Sequence, residues 1–235
     1  MEYFYTPPEL IGPTALTIAD EEFAHLTHVM RKVPGDAIRV VDGLGTAYDV
    51  TIEEISRRSA QCSISTRHVR LNEPERSVVV AAALLKNSAK FDYLVEKATE
   101  LGAAGIVPLR TERTIPRNAR IDRWRKIALA AMKQSGRCFL PEVHPMVPFG
   151  EFLRKSGGDF LRVIPHEKTE RPRLRDVVET GRMPVQVCVG PEGGFSEEEI
   201  QQAVSAGFIP VSLGPRRLRT ETAVLVSVAL ALGEA

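Results

Sequence analysis

Two glycine-containing segments near the C-terminus constrain the fold most, because each follows an apolar run and leads into a predicted helix. The first is residues 190–196, GPEGGFS, and the second is residues 213–223, LGPRRLRTETA. Strand, glycine loop and helix in this order are typical of an α/β sheet. In such sheets ligands bind beyond the carboxyl ends of the strands, where loop N–H groups and helix N-termini converge. The two segments therefore predict an α/β fold with a ligand site at these loops.

The size and composition of the chain are those of an ordinary globular protein. It has 235 residues, 43% hydrophobic and 26% charged, which is enough for two domains. Cys62, Cys138 and Cys188 stand far apart without C-x-x-C spacing, which predicts buried thiols and a reducing compartment. The N-terminus lacks a secretory pattern, and the longest nearly apolar run, residues 223–232, is shorter than the roughly 20 residues that span a bilayer. We therefore expect a cytoplasmic protein without a membrane segment.

The cations are concentrated in one part of the chain. Residues 1–75 carry 7 Lys and Arg against 12 Asp and Glu, whereas residues 76–235 carry 24 against 18. Between residues 110 and 137 lie nine cations against Glu112 and Asp122, namely Arg110, Arg113, Arg117, Arg120, Arg123, Arg125, Lys126, Lys133 and Arg137. Such a patch indicates a polyanionic partner, and RNA is the expected one. A solvated helix face is the alternative.

The first third of the chain changes its hydrophobic period after a short helix. Residues 20–30 predict an amphipathic helix with Phe23, Leu26 and Val29 facing inward. Three strands are predicted after it, at residues 37–41, 47–55 and 61–66, with a hairpin turn at residues 42–45. These elements predict a small β-barrel domain over residues 1–72.

The remaining residues, 73–235, alternate between strand and helix patterns. Strands are predicted at residues 78–85, 106–109, 160–164, 185–189 and 209–213. One helix is predicted to end at Gly102, and a second is predicted to span about residues 121–134. A third is predicted to start at Ser196 in a capping box with Glu199, and the last is predicted to span residues 221–232. The last helix is apolar on nearly every side, so it should be buried all round, in the domain core or in a homodimer interface.

Neither glycine loop matches a nucleotide-binding signature. The chain contains no G-x-G-x-x-G and no G-x-x-x-x-G-K-[ST], which argues against a nucleotide-dependent oxidoreductase of doubly wound fold. Gly193 and Gly194 would let the backbone approach a ligand closely. Taken alone, the first loop is better interpreted as a tight turn before a capped helix.

Taken together, the motifs are similar to those of the RsmE family of rRNA uridine-N3 methyltransferases. Both glycine loops match in order, with Arg216, Leu218, Arg219 and Glu221 in place in the second. Further matches are residues 96–102 with Ile106 and Pro108, residues 134–137 with Pro141, and residues 25–36 with Asp42 and Gly43. These motifs cover nearly the whole length, so the resemblance is more specific than any one loop.

The resemblance implies a fold, a cofactor and a substrate. The fold is a PUA-like β-barrel, residues 1–72, joined to a SPOUT-type domain, residues 73–235, whose C-terminal chain forms a trefoil knot; knots are rare exceptions to the usual connection rules. S-adenosylmethionine is the implied cofactor, and the family acts as a homodimer. The implied substrate is a uridine of 16S rRNA in the small ribosomal subunit, methylated at N3.

The matching positions also imply site residues. Arg219 is expected to stabilise the uracil oxyanion, with Glu221 or Glu192 as the base or as the group that orients the ring. Cofactor-binding positions are Ile164, His166, Gly190, Pro191, Gly193, Gly194, Leu213, Gly214, Leu218, Thr222 and Ala223. Expected RNA-binding positions are Arg31, Arg113, Arg117, Arg123, Lys133, Gln134 and Arg137. The alternative for the arginine and glutamate of the second loop is a salt bridge that shapes the knot.

No metal is implied, because His25 and His28 lack cysteine or carboxylate partners at ligand spacing. Two other functions stay open at this point. One is a non-catalytic RNA-binding factor in ribosome assembly that keeps the loops without using them. The other is a SPOUT methyltransferase that acts on another RNA site.

Overall fold

The computed structural model describes residues 2–178 and 183–233. Their contacts divide the chain into two units: residues 1–73 with Leu129–Leu140, and Pro74–Ala128 with residues 141–235. The sequence prediction placed residues 129–140 in the second domain. The structure groups them with the first unit because Met132 and Cys138 pack against Val41 and Ala47 in a buried cluster.

The first unit contains a five-stranded sheet. Its strands are β1 (Tyr3–Tyr5), β2 (Ala15–Ala19), β3 (Ala37–Val41), β4 (Thr46–Ile55) and β5 (Ser59–Val69), in the order β1-β3-β4-β5-β2. β1 pairs with β3 in parallel, and the other pairs are antiparallel. The alternation of inward side chains builds the core, which includes Phe4, Leu16, Ile18, Leu26, Ile38, Val40, Val50 and Ile52. The three predicted strands are confirmed, and the sequence patterns missed β1 and β2.

The predicted helix in this unit is present in a different form. α1 (Asp20–Ala24) continues into a π-helical turn, His25–Val29, in which the Met30 N–H donates to the His25 carbonyl. A π turn contains more residues per turn than an α-helix, so side chains after it leave the predicted face. Leu26 is fully buried as predicted, whereas Val29 is 65% exposed, and the prediction for Val29 was wrong.

The second unit is an α/β structure with a parallel sheet. Its strands are β6 (Val78–Ala83), β7 (Gly105–Arg110), β8 (Glu142–Val143), β9 (Val147–Pro148), β10 (Leu161–Pro165), β11 (Val185–Val189) and β12 (Ile209–Val211). The order is β12-β10-β11-β6-β7-β8, with β9 also on β7, and these pairs are parallel. The five predicted strands are confirmed to within two residues, and β8 and β9 were missed.

The helices of this part of the chain are α2 (Ser88–Leu101), α3 (Ile121–Ser135), α4 (Phe149–Lys155), α5 (Leu174–Val178), α6 (Glu197–Ser205) and α7 (Thr220–Leu232). α2 ends at Gly102, whose φ of 109° favours glycine. The predicted capping box of Ser196 and Glu199 starts α6. Among the described residues, every helix falls short of the length and apolarity that crossing a bilayer requires.

α7 is only partly buried by its own chain. Val224, Ser227, Val228 and Ala231 are buried, and the helix packs on α2, α5, β6 and β11. Leu232 is buried as well, whereas five other apolar side chains are half-buried, namely Ala223, Leu225, Val226, Ala229 and Leu230. Burial all round is therefore not reached within the chain, and the homodimer interface stays a prediction.

The three cysteines are buried free thiols, as predicted. Burial, assisted by Glu53, raises the pKa of Cys62 to about 12, and burial beside Glu73 raises the pKa of Cys138 to about 11. Thiols with raised pKa values carry little thiolate near neutral pH and are poor nucleophiles.

Candidate active site at the carboxyl ends of the strands

The loops that follow β10, β11 and β12 line one cleft of about 960 Å³. Because these strands are parallel, their carboxyl ends meet at one edge of the sheet, where the glycine loops were predicted to form a site. Both loops line the cleft, together with Lys90 from α2 and residues 165–169 after β10. The sheet therefore brings the two sequence motifs together in one site.

The first loop forms a tight turn. The Gly194 N–H donates to the Pro191 carbonyl at 2.9 Å, and Gly194 has a φ of +69°, which favours glycine. A Cβ at Gly190 would lie 3.0 Å from Cδ2 of Phe195. Glycine at Gly190 thus allows the Phe195 ring to pack against the start of the loop.

Arg113 holds this loop from the side. Its Nη1 donates to the carbonyl of Gly193 at 2.7 Å and to that of Phe195 at 3.4 Å. The neighbouring Glu112 N–H donates to Glu199 Oε1 at 2.9 Å, while Glu199 Oε2 accepts from the Ser196 N–H at 3.0 Å. The segment after β7 therefore fixes both the loop and the start of α6. Arg113, predicted to contact RNA, lines the cleft and braces its backbone.

The second loop is fixed at its start and cationic along its length. Ser212 Oγ accepts from the Gly214 N–H at 3.2 Å, and Gly214 has a φ of +114°. Arg216, Arg217 and Arg219 are exposed and line the cleft. Arg217 Nε lies 3.5 Å from Glu167 Oε2. The second loop therefore contributes positive charge to one side of the cleft.

Glu221, at the start of α7, pairs with Lys90 rather than with Arg219. Lys90 Nζ lies 3.0 Å from Glu221 Oε1. Burial favours the neutral acid and by itself would raise the pKa of Glu221. The pKa is nevertheless lowered, because the carboxylate is stabilised by its own backbone N–H, by the hydrogen bond and charge of Lys90, and by the charge of Arg219. Glu221 Oε2 is buried and has no hydrogen-bond partner among the described residues. Glu221 is thus an ionised carboxylate that anchors Lys90.

Glu192 has different surroundings. It is exposed, lines the cleft, and its Oε1 accepts from the Lys86 N–H at 3.1 Å. Glu221 does not belong to the cleft lining. Of the two predicted carboxylates, Glu192 is the one that a ligand in the cleft can reach.

Most predicted cofactor positions line the cleft: His166, Gly190, Pro191, Gly194, Leu213, Gly214, Leu218 and Ala223. Three do not. Ile164 is fully buried in β10, Gly193 uses its carbonyl on Arg113, and Thr222 is exposed on the first turn of α7. Sequence reasoning missed Lys90. The carboxyl end of β6 lies at the same sheet edge as the two loops. The sequence signal that could have identified Lys90 is therefore its position in the first turn of the helix that follows β6.

Apart from Arg113, described above, the predicted RNA-binding residues differ in exposure and in ion pairing. Arg31, Arg117 and Gln134 are exposed. Arg123 Nε lies 2.8 Å from Asp92 Oδ2, and Lys133 pairs with Glu22. Arg137 is 3% exposed and pairs with Glu73. The predicted RNA contact of Arg137 was therefore wrong, because this guanidinium belongs to a buried ion pair.

Two family models match the chain. An RNA methyltransferase domain matches residues 72–232, and an RNA methyltransferase PUA domain matches residues 18–65. Among curated relatives, the Ribosomal RNA small subunit methyltransferase E of Synechocystis is 34% identical over 227 residues, covering 94% of this chain and 74% of that protein. The protein of the same name from Bacillus subtilis is 28% identical and covers 92% of this chain and 89% of its own.

Solved structures agree with these matches. The Ribosomal RNA small subunit methyltransferase E of Neisseria gonorrhoeae, bound to S-adenosyl methionine, has a TM-score of 0.88 and 32% identity, covering 97% of this chain and 95% of that one. A putative methyltransferase of Legionella pneumophila with bound cofactor SAM has a TM-score of 0.85 and 29% identity, covering 98% and 96%. These likenesses confirm the predicted α/β fold with a PUA-like N-terminal domain. With matching family models over both parts and the loop motifs in one cleft, the chain belongs to the ribosomal RNA small subunit methyltransferase E family.

Proposed function

We propose that this protein transfers a methyl group from S-adenosylmethionine to N3 of a uridine in 16S rRNA of the small ribosomal subunit. One observation carries the proposal: both glycine loops line one cleft together with Arg219 and Glu192. The cleft thus combines a backbone-rich binding surface with a cation and an accessible carboxylate. N-methylation of an imide requires such a pair, because a proton must leave and negative charge must be stabilised.

The residues of the cleft fit the cofactor. Its volume of about 960 Å³ lies at the upper end of the roughly 300–1,000 Å³ usual for small-molecule sites. Apolar side chains that could face an adenine ring are Val189, Pro191, Phe195, Leu213 and Leu218. Peptide groups of the two loops would hold the polar parts of the cofactor. When bound, S-adenosylmethionine supplies an electrophilic methyl group on its sulfonium.

Arg219 is the residue that we assign to charge stabilisation. Loss of the N3 proton places negative charge on the carbonyl oxygens that flank N3, and a guanidinium aimed at these oxygens stabilises such charge. Arg219 lines the cleft and is exposed. Glu221 forms its ion pair with Lys90, so the alternative of an Arg219–Glu221 salt bridge loses its support.

Glu192 is the carboxylate that we assign to the imide proton. It lies in the cleft and is exposed. Glu221 is unsuitable as a base, because its lowered pKa weakens it and its free oxygen is buried outside the cleft lining. A general base must come within hydrogen-bond reach of the proton that it removes. Glu192 lines the cleft and can approach a bound uracil, whereas Glu221 does not line it.

The partners and location follow from the same proposal. A second copy of the chain would cover the half-buried apolar side chains of α7, which gives a homodimer. Exposed cations such as Arg31 and Arg117 would contact rRNA phosphates. The substrate places the protein in the cytoplasm, and the trefoil knot stays a prediction from the family resemblance.

The test combines binding with product mapping. Calorimetry measures S-adenosylmethionine binding, and methyl transfer is assayed on small ribosomal subunits and on naked rRNA, followed by mapping of the modified nucleotide. We expect cofactor binding, methylation at a uridine N3, and a rate lower by roughly 10²- to 10³-fold in Arg219→Ala. RNA binding without cofactor binding would favour the non-catalytic assembly factor. Methylation at another base atom would leave the enzyme class intact and overturn the assigned position.

A further inference from the structure

The chemistry of the proposed substrate calls for two positive groups rather than one. A deprotonated uracil imide shares its negative charge between N3 and the two oxygens on either side, O2 and O4. The methyl group must arrive at N3, between these oxygens. A site that stabilises charge on both oxygens needs a donor on each side of the ring, and Arg219, as a single group, reaches only one side.

We propose that Lys90 is the second of these donors, a catalytic residue that binds one uracil oxygen while Arg219 binds the other. This inference rests on the proposed function. Lys90 lies in the first turn of α2 and lines the cleft, as Arg219 does from the second loop. Its side chain is 33% exposed, so it is neither sequestered in the core nor free on the surface.

The hydrogen bonds of Lys90 leave it able to bind a substrate. An ammonium group carries three N–H donors. One of them lies on Glu221 Oε1 at 3.0 Å. Within the part of the chain that the structure describes, the other two remain for an acceptor in the cleft, which Lys90 lines. The N3 proton must go to an acceptor, which an ammonium group lacks, so Lys90 suits a neighbouring oxygen of the ring and not N3 itself.

Glu221 is a positioning residue in this arrangement. It stands two residues after Arg219 on the chain and forms an ion pair with Lys90, so it fixes Lys90 near the end of the loop that carries Arg219. Its Oε2 has no partner among the described residues although it is buried. Because Glu221 pairs with Lys90 and lies outside the cleft lining, its carboxylate orients Lys90 instead of taking the substrate proton.

The competing interpretation is that Lys90 only ties α2 to α7. The two interpretations differ in how the loss of methylation rate on replacing Lys90 depends on the acidity of the substrate. If Lys90 stabilises the imide anion, its removal matters less when the imide is already acidic or the pH is high. A purely structural loss is the same for every substrate and pH.

The experiment compares Lys90→Met and Lys90→Arg with Lys155→Met. Lys155 is a matched control because it also pairs with a glutamate, Glu151, at 2.7 Å, but lies exposed on α4 outside the cleft lining. Single-turnover methylation of small subunits is measured from pH 6 to 9, with natural rRNA and with rRNA containing 5-fluorouridine, whose imide is more acidic. Calorimetry gives the S-adenosylmethionine affinity of each variant.

We expect Lys90→Met to lower the rate on the order of 10²-fold near neutral pH, with cofactor affinity within twofold of the unmodified protein. The deficit should shrink at high pH and with 5-fluorouridine, Lys90→Arg should recover part of the rate, and Lys155→Met should match the unmodified protein. An unchanged rate in Lys90→Met, a deficit independent of pH and substrate, or a parallel loss of cofactor affinity would overturn the role of Lys90. Failure of the unmodified protein to methylate uridine N3 would instead overturn the proposed function.

Discussion

Nη2 of Arg137 lies 2.7 Å from Oε2 of Glu73, and both side chains are almost completely buried, at 4% and 5% exposure. The other oxygen, Glu73 Oε1, accepts the N–H groups of Cys138 and Phe139 at 2.9 and 2.8 Å. The glutamate thus holds the chain after α3 within the first unit. A cation that the sequence places in a basic segment serves here as the partner of a buried carboxylate.

Arg137→Met should therefore destabilise the protein. Removing one partner of a buried pair leaves the other charge uncompensated, at a cost of about 3–5 kcal/mol. Urea denaturation of the full chain measures the loss as a lower midpoint. Arg117→Met is the control, because Arg117 is exposed. Equal midpoints for the two variants would contradict the structural role of Arg137.

Arg113→Met should weaken cofactor binding more than RNA binding, because Arg113 holds the carbonyls of Gly193 and Phe195. Loss of a charge-assisted hydrogen bond corresponds to about a tenfold rise in Kd for S-adenosylmethionine. Calorimetry measures this rise, and rRNA binding is measured over a range of salt concentrations.

Arg162→Met is the matched control for that prediction. Arg162 Nη1 also donates to two backbone carbonyls, those of Ser156 at 3.0 Å and Ala206 at 2.7 Å, outside the cleft lining. It should lower stability and leave cofactor affinity unchanged. If Arg113→Met instead kept normal cofactor affinity and reduced the salt slope of RNA binding by about one, Arg113 would be a phosphate contact.

Glu192→Gln and Glu221→Gln should separate the two carboxylates. Glu192→Gln removes the group that we assign to the imide proton, so the single-turnover rate should fall by about 10²-fold or more. Glu221→Gln keeps an oxygen that can accept from Lys90, so its effect should be smaller. Both rates are measured on small subunits at saturating cofactor. A larger loss in Glu221→Gln than in Glu192→Gln would reverse the assignment.

The sequence patterns predicted the strands and helices whose positions depend on residues that are close together along the chain. Apolar runs and capping residues located β6, β11, α2 and α6 closely, because local period and local hydrogen bonds determine them. They could not tell which cations are free. The partners of Lys133 and Arg137 are Glu22 and Glu73, far away in sequence, and these ion pairs exist only in the folded chain.

The same limit applies to the site. The glycine loops indicated a cleft because each carries its own turn geometry, for example the positive φ of Gly194 and Gly214. Lys90 has no local signature of function. It joins the cleft only because β6 ends at the same sheet edge as β11, which is a property of strand order.

The Asp49 cluster should make the first unit sensitive to acid. The hydrogen bond from Arg39 at 2.7 Å lowers the pKa of Asp49, burial opposes it, and the contact with His68 at 2.7 Å lowers it further. A carboxylate whose pKa is lower in the folded state stabilises the protein above its unfolded pKa, near 3.9. That stability is lost as the pH falls through the folded value.

Urea midpoints measured between pH 7 and about pH 2 test this expectation. The unmodified protein should lose stability as the pH falls below about 4, and Asp49→Asn should be less stable at pH 7 and show a shallower decline, because the titrating carboxylate is gone. Asp122→Asn is the control, since the Asp122 side chain is 96% exposed and pairs only at the surface with Arg125, where ion pairs contribute little. A decline in Asp49→Asn as steep as that of the unmodified protein would show that other carboxylates cause the acid sensitivity.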